Sequence, residues 1–360
     1  MKKSTNKFFT EKLLFWNSNV NTRKMPWKGI ADPYKIWLSE IILQQTRVEQ
    51  GTTYYNRFIA KFPTVEHLAL SKDDEVFKMW EGLGYYSRCK NLIATAKIIA
   101  FEYNGIFPNN YNEILQLKGV GPYTAAAIAS FAFNLPNAVV DGNVTRVIAR
   151  FFGSEMPIDT TEGKKHYTNL AQTLLHKTDP GNYNQAIMDF GATVCKPQLP
   201  LCKTCILQNK CFAYANDLTK ILPVKAKKIL KRNRYFYYVI VEQNDKVFVR
   251  KRTHKDIWQN LWEFVLIETA EKLPVAEFIK NKIFRDLFAV PPLNTQYSSF
   301  YKQQLTHQTL EGLFLYVTTG KDFINDEYTA INKSDLKTLA FPRFITKFLE
   351  TKQELKILEG

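Results

Sequence analysis

From residue 1 to 212 the apolar positions recur at helical intervals, bounded by residues that start and stop helices. "ADPYKIWLSEIILQQTRVEQG" predicts a helix with Asp32 as N-cap, Pro33 in the first helical position and Gly51 just past its end. "NNYNEILQLKGVGPYTAAAIASFAF" predicts a short helix, a glycine turn at Gly119-Val120-Gly121, and a second helix opening at Pro122. That second helix is small or apolar almost throughout, as a buried helix is. In "NYNQAIMDFGATVC", Ala186, Ile187 and Phe190 again fall at helical spacing. One residue resists the pattern. In "WLSEIILQQT", Glu40 is flanked on its own helical face by Ile36 and Leu43, which places a carboxylate where packing calls for an apolar side chain.

Beyond a basic connector at 213–232 the pattern changes. "RYFYYVIVEQNDKVFVRKRT" is β-branched and aromatic on both sides of Asn244-Asp245, a hairpin signature. "NLWEFVLIE" and "GLFLYVTTG" predict further strands, and "VAEFIKNKIFRDLF" and "FPRFITKFLETKQE" predict helices, so residues 233–350 form a second, α+β domain. There is no internal repeat.

Composition narrows the class. With 360 residues, 45% of them hydrophobic, the chain can build two compact domains and is too apolar to be disordered. It has no run of eighteen apolar residues and no signal-peptide core, and is read as cytoplasmic, without a membrane partner. The formal charge of +15, from 49 basic and 34 acidic residues, suits a polyanionic partner or a solvated basic surface. The run "VKAKKILKRNR" at 224–234 is open to the same two readings.

Three stretches carry chemistry. In "CKPQLPLCKTCILQNKC", Cys195, Cys202, Cys205 and Cys211 are spaced C-x6-C-x2-C-x5-C. Four thiolates in one loop suit zinc or a [4Fe–4S] cluster, and a single C-x2-C pair between unequal gaps departs from the paired zinc-ribbon pattern, favouring iron–sulfur. Lys196, Lys203 and Lys210 beside them suit a structural loop that presents lysines to phosphate. Cys89, outside the group, reads as an ordinary thiol. In "LKGVGPYTA" the glycines turn the chain into a helix whose first amides are free, an anion site or only a connection. In "VVDGNVTRV", Asp141 reads as an N-cap or as the partner of Glu40. Two carboxyl groups in unlike environments, one proton-bearing and one ionised, are what glycosidic bond cleavage needs.

Taken together, "MPWKG", "WLSEIILQQTRV", "GLGYYSRCKNL", "LKGVGPYTAAAI", "VVDGNVTRV", "NQAIMDFGATVC" and the four-cysteine loop resemble the adenine DNA glycosylase (MutY) family of the helix-hairpin-helix, endonuclease III-like superfamily. The seven motifs occur in family order between about residue 8 and residue 212. The resemblance implies an all-α helix-hairpin-helix glycosylase domain with a [4Fe–4S] loop at 1–212. It further implies a bacterial enzyme, working with the nucleoid, that flips adenine out of duplex DNA and removes it where it is mispaired with 8-oxoguanine or guanine. By motif position, Glu40 would protonate adenine at N7 and then assist water, and Asp141 would stabilise the oxocarbenium ion or bond to it transiently. Tyr123 and Asn143 would assist at the sugar and leaving group. Arg23, Trp27, Leu43 and Gln185 would line the adenine pocket. Gln45, Thr46, Leu83 and Tyr85 would invade the duplex, and Gly119, Val120 and Gly121 would hold its backbone.

The lyases of the superfamily have a lysine where this chain has Tyr123, and without that amine no Schiff base forms, so the expected glycosylase is monofunctional. Lys118 stands where the family more often has proline. The second domain resembles the family's MutT-like (Nudix-fold) domain, without the glycine pair or the acidic helix that would bind magnesium for pyrophosphohydrolysis. Leu305, Thr306 and His307, in "QLTHQ", match a lesion-recognition loop that usually reads Phe-Ser-His. A monomer is expected. The alternatives are an endonuclease III-like lyase and a non-catalytic DNA-binding module built on the metal loop.

Overall fold

The computed structural model describes residues 2–226, 231–288, 292, 294–319, 323 and 325–351. The chain divides into two compact units, one of residues 1–70 and 91–228, the other of residues 71–90 and 229–360. The division falls within a helix, and residues 71–90 cluster with the C-terminal part of the chain.

The first unit is helical. Its helices are α1 (Lys2–Asn19), α2 (Pro33–Leu43), α3 (Val48–Lys61) and α4 (Val65–Leu70). After α5 (Asp73–Trp80), which belongs to the other unit, come α6 (Ser87–Glu102), α7 (Tyr111–Gln116), α8 (Pro122–Phe133), α9 (Gly142–Phe152), α10 (Thr161–Leu174), α11 (Pro180–Thr193) and the short α12 (Phe212–Ala215). Asp32 caps α2 as expected, accepting from the amides of Tyr34 and Lys35 at 2.9 and 3.2 Å. The helix does not run on to Gly51. Gln45 takes a left-handed conformation (φ 57°), the chain turns, and α3 passes straight through Gly51. The reason lies in packing: a Cβ on Gly51 would sit 2.7 Å from Leu43 Cδ2, so the glycine lets α3 lie against the end of α2. The α7-turn-α8 unit is as expected, with the Val120 amide closing the turn onto Leu117 O at 3.0 Å and Thr124 to Ser130 buried.

The largest core of this unit joins Phe9, Leu13 and Trp16 of α1 to Val144, Val147 and Ile148 of α9, Tyr167 of α10 and Phe190 of α11. The described part of the basic connector is tied to the same unit. Arg150 Nε donates to Leu222 O at 2.9 Å, the Ile158 amide to Val224 O at 3.0 Å, and the Ala226 amide to Asp159 at 2.9 Å. Residues 227–230 of the basic run lie outside the described residues.

In the second unit the strands are β1 (Arg232–Gln243), β2 (Lys246–Lys251), β3 (Trp262–Glu263), β4 (Val265–Thr269), β5 (Asn294–Tyr297), β6 (Tyr301–Gln304), β7 (Gln308–Thr318) and β8 (Thr329–Asn332). The hairpin forms where expected. Asn244 and Asp245 are both left-handed (φ 51° and 61°), and Glu242 and Gln243 pair with Val247 and Lys246. β1 is the centre of a mixed sheet, parallel to β7 and antiparallel to β4. Phe236 to Val241 are all buried because both faces of β1 are covered. Phe236, Tyr238 and Ile240 pack towards Phe344 and Phe348 of α15 (Arg343–Glu350), and Tyr237, Val239 and Val241 towards Phe278 and Phe284. The helix expected over 275–288 is instead two single turns, α13 (Val275–Phe278) and α14 (Lys282–Arg285), because Asn281 leaves the helix and caps the second turn through Ile283 N at 2.9 Å. The last residues of the helix expected over 341–354 lie outside the described residues. After Glu263 the chain continues as β4 rather than as an acidic helix. Among the described residues no helix is long and apolar enough to cross a membrane.

Candidate active site

Helix α2 buries Glu40 because every neighbour on that stretch is buried too, from Ile36 to Ile42. The carboxyl is 5% exposed, and burial pushes it up to about 7. One donor opposes this: Tyr123, at the start of α8, gives its hydroxyl hydrogen to Glu40 Oε2 at 2.6 Å. The negative field of Asp141 acts in the other direction and favours the protonated form. Burial and the two carboxyl groups hold the Tyr123 phenol well above its ordinary range, so it remains a donor.

Asp141 is both an N-cap and the centre of a polar cluster. It accepts from the Val144 amide and from Asn143 Nδ2, each at 2.7 Å, and its own carbonyl accepts from the Thr145 hydroxyl at 2.8 Å. Burial raises its pKa above the ordinary carboxylate range, and these donors and the Arg146 cation offset part of that rise, a counterweight Glu40 has only from Tyr123. Arg146 is itself buried, and donates to Asn143 Oδ1 at 2.8 Å, to Gly191 O at 2.7 Å and to Cys195 O at 2.8 Å. Gly191 permits this closeness: a Cβ there would lie 2.7 Å from Asn143 Cβ and 2.9 Å from its carbonyl oxygen.

A cleft of about 420 Å³ opens beside Glu40 between α1, α2, α8 and α11. Trp27 and Gln185 line it with Glu40, whereas Arg23 and Leu43, expected in the same pocket, do not. Trp27 is buried edge-on against Tyr55, and Leu43 lies against Gly51. Arg23 is bound to Asp189, a fully buried carboxylate that accepts from Arg23 Nη1 at 2.8 Å and from Lys28 Nζ and Asn21 Nδ2 at 2.9 Å each. Gln45 is exposed at its left-handed turn with Thr46 half-buried beside it, and Gly119 and Gly121 flank a buried Val120.

The four loop cysteines are unpaired, and three of them, Cys195, Cys205 and Cys211, pack against the α1–α9–α11 core. Burial, with the fields of the other three thiols, pushes Cys205 up to about 12. A bound metal would favour the thiolate form of such a thiol by sharing its charge. Among the described residues no three His, Cys, Asp or Glu side chains group as a ligand set for a single metal ion. Arg150 braces the loop, donating to Lys196 O at 2.7 Å, Pro197 O at 3.1 Å and Cys195 Sγ at 3.5 Å. Lys210 lies over the Phe8 ring at 4.5 Å.

In the second unit Tyr85 and Thr306, singled out separately from sequence, are hydrogen-bonded to each other through their hydroxyls. Tyr85 is left-handed (φ 49°) and half exposed, on a loop held by Trp80 Nε1 bonded to Gly84 O at 3.1 Å and by Arg88. The Arg88 guanidinium donates to the carbonyls of Leu83 and Gly84 and lies 5.2 and 5.6 Å from the Trp80 and Tyr85 rings. Leu83 is buried. Leu305 packs against the β-sheet core, and the His307 carbonyl accepts from the Arg232 amide at 3.1 Å. Sequence reasoning passed over Arg88, Arg146, Asp189 and Gly191. Each lies within a quoted motif, and the available signal was a charge or a glycine inside an otherwise apolar helical pattern.

Residues 38–173 match the HhH-GPD superfamily of base excision DNA repair proteins, and residues 236–351 match the NUDIX domain. An adenine DNA glycosylase of Buchnera aphidicola subsp. Schizaphis graminum is 35% identical over 351 residues, covering 95% of this chain and 98% of the relative. The adenine DNA glycosylase of Mus musculus is 42% identical over 215 residues, 57% of this chain and 42% of that one. Among solved structures, a thermostable thymine-DNA glycosylase is 31% identical and matches 60% of this chain and 99% of its own with a TM-score of 0.56. An endonuclease III in non-covalent complex with DNA, 20% identical, shares the fold over 61% of this chain and 99% of its own, with a TM-score of 0.51. With a relative of this identity along nearly its whole length, and an HhH-GPD match followed by a NUDIX match within this chain, the chain belongs to the adenine DNA glycosylase family.

Proposed function

We propose that this adenine glycosylase acts on adenine paired with 8-oxoguanine or guanine in duplex DNA, by hydrolysis and without lyase chemistry. The observation that carries the reading is Glu40, a buried carboxyl held near pH 7 in its proton-bearing form, with Asp141 as a second, more richly hydrogen-bonded carboxyl within its field. Glu40 gives its proton to N7 of the flipped adenine. The C1′–N9 bond breaks with its electron pair going to the base. The Asp141 carboxylate, oriented by Asn143 and the Val144 amide, faces the cationic sugar. Water then adds at C1′ and its proton returns to Glu40, which restores the acid. Tyr123 orients Glu40 and offers no amine for a Schiff base.

Arg23, Trp27, Leu43 and Gln185 are assigned to the base pocket, Gln45, Thr46, Leu83 and Tyr85 to the opened duplex, and Gly119, Val120 and Gly121 to the DNA backbone. The Tyr85–Thr306 bond supports a lesion-reading role for Leu305, Thr306 and His307. Cys195, Cys202, Cys205 and Cys211 are assigned to a [4Fe–4S] cluster, which fits four mutually interacting thiols in a folded loop. Its contribution when bound is to tie that loop into one rigid piece. The chain is proposed to act as a monomer.

The test is single-turnover cleavage of duplexes carrying one 8-oxoguanine·adenine or guanine·adenine pair, read with and without hot alkali, for the native chain and Asp141→Asn. Strand breaks that need alkali and disappear in the variant are expected. Breaks without alkali, or a borohydride-trapped adduct, would mean a lyase.

A further inference from the structure

Helix α5 carries a charged stripe that faces the sheet of its own unit. Asp74, Lys78 and Glu81, spaced four and then three residues apart, share one face, while Val76, Phe77 and Trp80 turn inward and are buried. Asp74 pairs with Lys251 of β2. Lys78 Nζ donates to Leu339 O at 2.8 Å and to Glu81 Oε2 at 2.7 Å, and Glu81 Oε1 accepts from the Phe341 amide at 2.9 Å. Two side chains and the backbone of 339–341 thus close a clamp of three hydrogen bonds at the C-terminal end of α5. Its anchor is firm. Phe341 is 1% exposed, stacks on Phe264 with ring centroids 5.4 Å apart, and belongs to the core that Leu305 packs against.

The loop that begins at Glu81 is fastened to the helix end by its own bonds. The Leu83 amide donates to Trp80 O at 3.1 Å and the Gly82 amide to the Tyr86 hydroxyl at 3.3 Å, beside the Trp80 and Arg88 bonds described above. Such a loop moves with the end of α5 as one piece, so the seat of α5 sets where Tyr85 stands. The Tyr85 hydroxyl in turn reaches Thr306. We propose that Lys78 and Glu81 are positioning residues for reading the base opposite adenine. They fix the Tyr85 loop at a second point on the core behind Thr306, and two points define an orientation that one hydrogen bond leaves free to swing. Their polar ends are taken up by each other and by the 339–341 backbone, so they act through Tyr85 and not on the DNA. The proposal rests on the assignment of Tyr85 and of residues 305–307 to the lesion pair.

The test measures single-turnover excision by the full chain, native, Lys78→Met and Glu81→Ala, each first shown by circular dichroism to unfold cooperatively. Lys78→Met leaves Glu81 on the Phe341 amide, which keeps the proposal testable should Glu81→Ala not fold. Adenine is placed opposite 8-oxoguanine, guanine or a tetrahydrofuran abasic analogue, which offers no base to read. The variants should narrow the ratio of 8-oxoguanine·adenine to guanine·adenine excision by about fivefold or more, while the rate opposite the abasic analogue stays native. In a Thr306→Val chain the same substitutions should add little to the loss, because the contact they position is gone. A native ratio in the variants, an equal fall on all three duplexes, or full additivity with Thr306→Val would overturn the clamp while leaving lesion reading by Tyr85 and residues 305–307 intact. A native chain with one rate for 8-oxoguanine and guanine would overturn both.

Discussion

Replacing Tyr123 by Phe should move the pH dependence of excision upwards. Glu40 must carry its proton to act as the acid, and burial holds its pKa at about 7. The rate constant measured with free enzyme should therefore fall as the pH rises through about 7. The Tyr123 hydroxyl, 2.6 Å from Glu40 Oε2, stabilises the charged form and so lowers that pKa. A hydrogen bond to a charged group contributes about 1.5–3 kcal/mol, which at ~1.4 kcal/mol per unit is an upward displacement of about one to two pH units. The assay is single-turnover excision at subsaturating enzyme, run from mildly acidic to alkaline pH for the native chain and Tyr123→Phe. Folding is checked by circular dichroism at each pH. A limb that stays in place or moves downwards in the variant would refute the assignment of Glu40 as the acid, and so would a native profile flat across neutrality.

Gly191→Ala would place a methyl group 2.7 Å from Asn143 Cβ, and overpacking of this kind costs about 1–3 kcal/mol. Excision should fall by about tenfold or more while thermal unfolding stays cooperative, and native activity in the variant would show that Asn143 need not be held where it is. Thr306→Val removes the partner of the Tyr85 hydroxyl, worth about 1 kcal/mol, and should narrow the ratio of 8-oxoguanine·adenine to guanine·adenine excision by about fivefold. An unchanged ratio would separate that contact from lesion reading. Glu40→Gln should abolish excision yet stabilise the protein above neutrality. The folded pKa of about 7 exceeds the ordinary 4.5, so the native chain loses stability as the pH rises from about 4.5 and the loss levels off above about 7. Urea unfolding at pH 8 should favour the variant by about 3 kcal/mol, with the gain vanishing below about pH 4, and a pH-independent difference would contradict the buried-acid account.

Much of the helical unit was legible because its signals are local. Asp32 and Pro33 start α2, and Pro122 starts α8 with a run of alanines among apolar residues and no charge, which suits a buried helix. The hairpin was legible for the same reason, since Asn244 and Asp245 tolerate the left-handed conformation that the turn requires. What periodicity missed were breaks set by tertiary contact. The stretch 33–50 keeps a helical pattern across Gln44–Thr46, yet the chain turns there. Gly51, read as a stop signal, is a packing residue against Leu43. The pattern over 275–288 likewise hides the interruption at Asn281. The carboxyl pair could be picked out from sequence, but its supports could not. Arg146 reaches Asn143 within its own helix and also Gly191 and Cys195, which are some fifty residues distant, and Asp189 gathers Arg23 and Lys28 from the far end of the unit.

The two carboxyl groups differ because their backbones differ. Glu40 lies mid-helix, where the amides of α2 are already spent on the helix, so a buried side chain there finds one donor, Tyr123. Asp141 lies at a helix start, where amides are unspent. It takes one from Val144, a second donor from Asn143, and the positive end of α9 with Arg146 behind it. Position along a helix thus divides the work: the interior carboxyl keeps its proton near neutrality and the capping carboxyl is eased towards its charge. The same asymmetry explains why exchanging the two would fail. An Asp at position 40 would be shorter and lose the reach to Tyr123, and a Glu at 141 would carry its oxygens past the Val144 amide, which removes the donors that favour the anion opposite a cationic sugar.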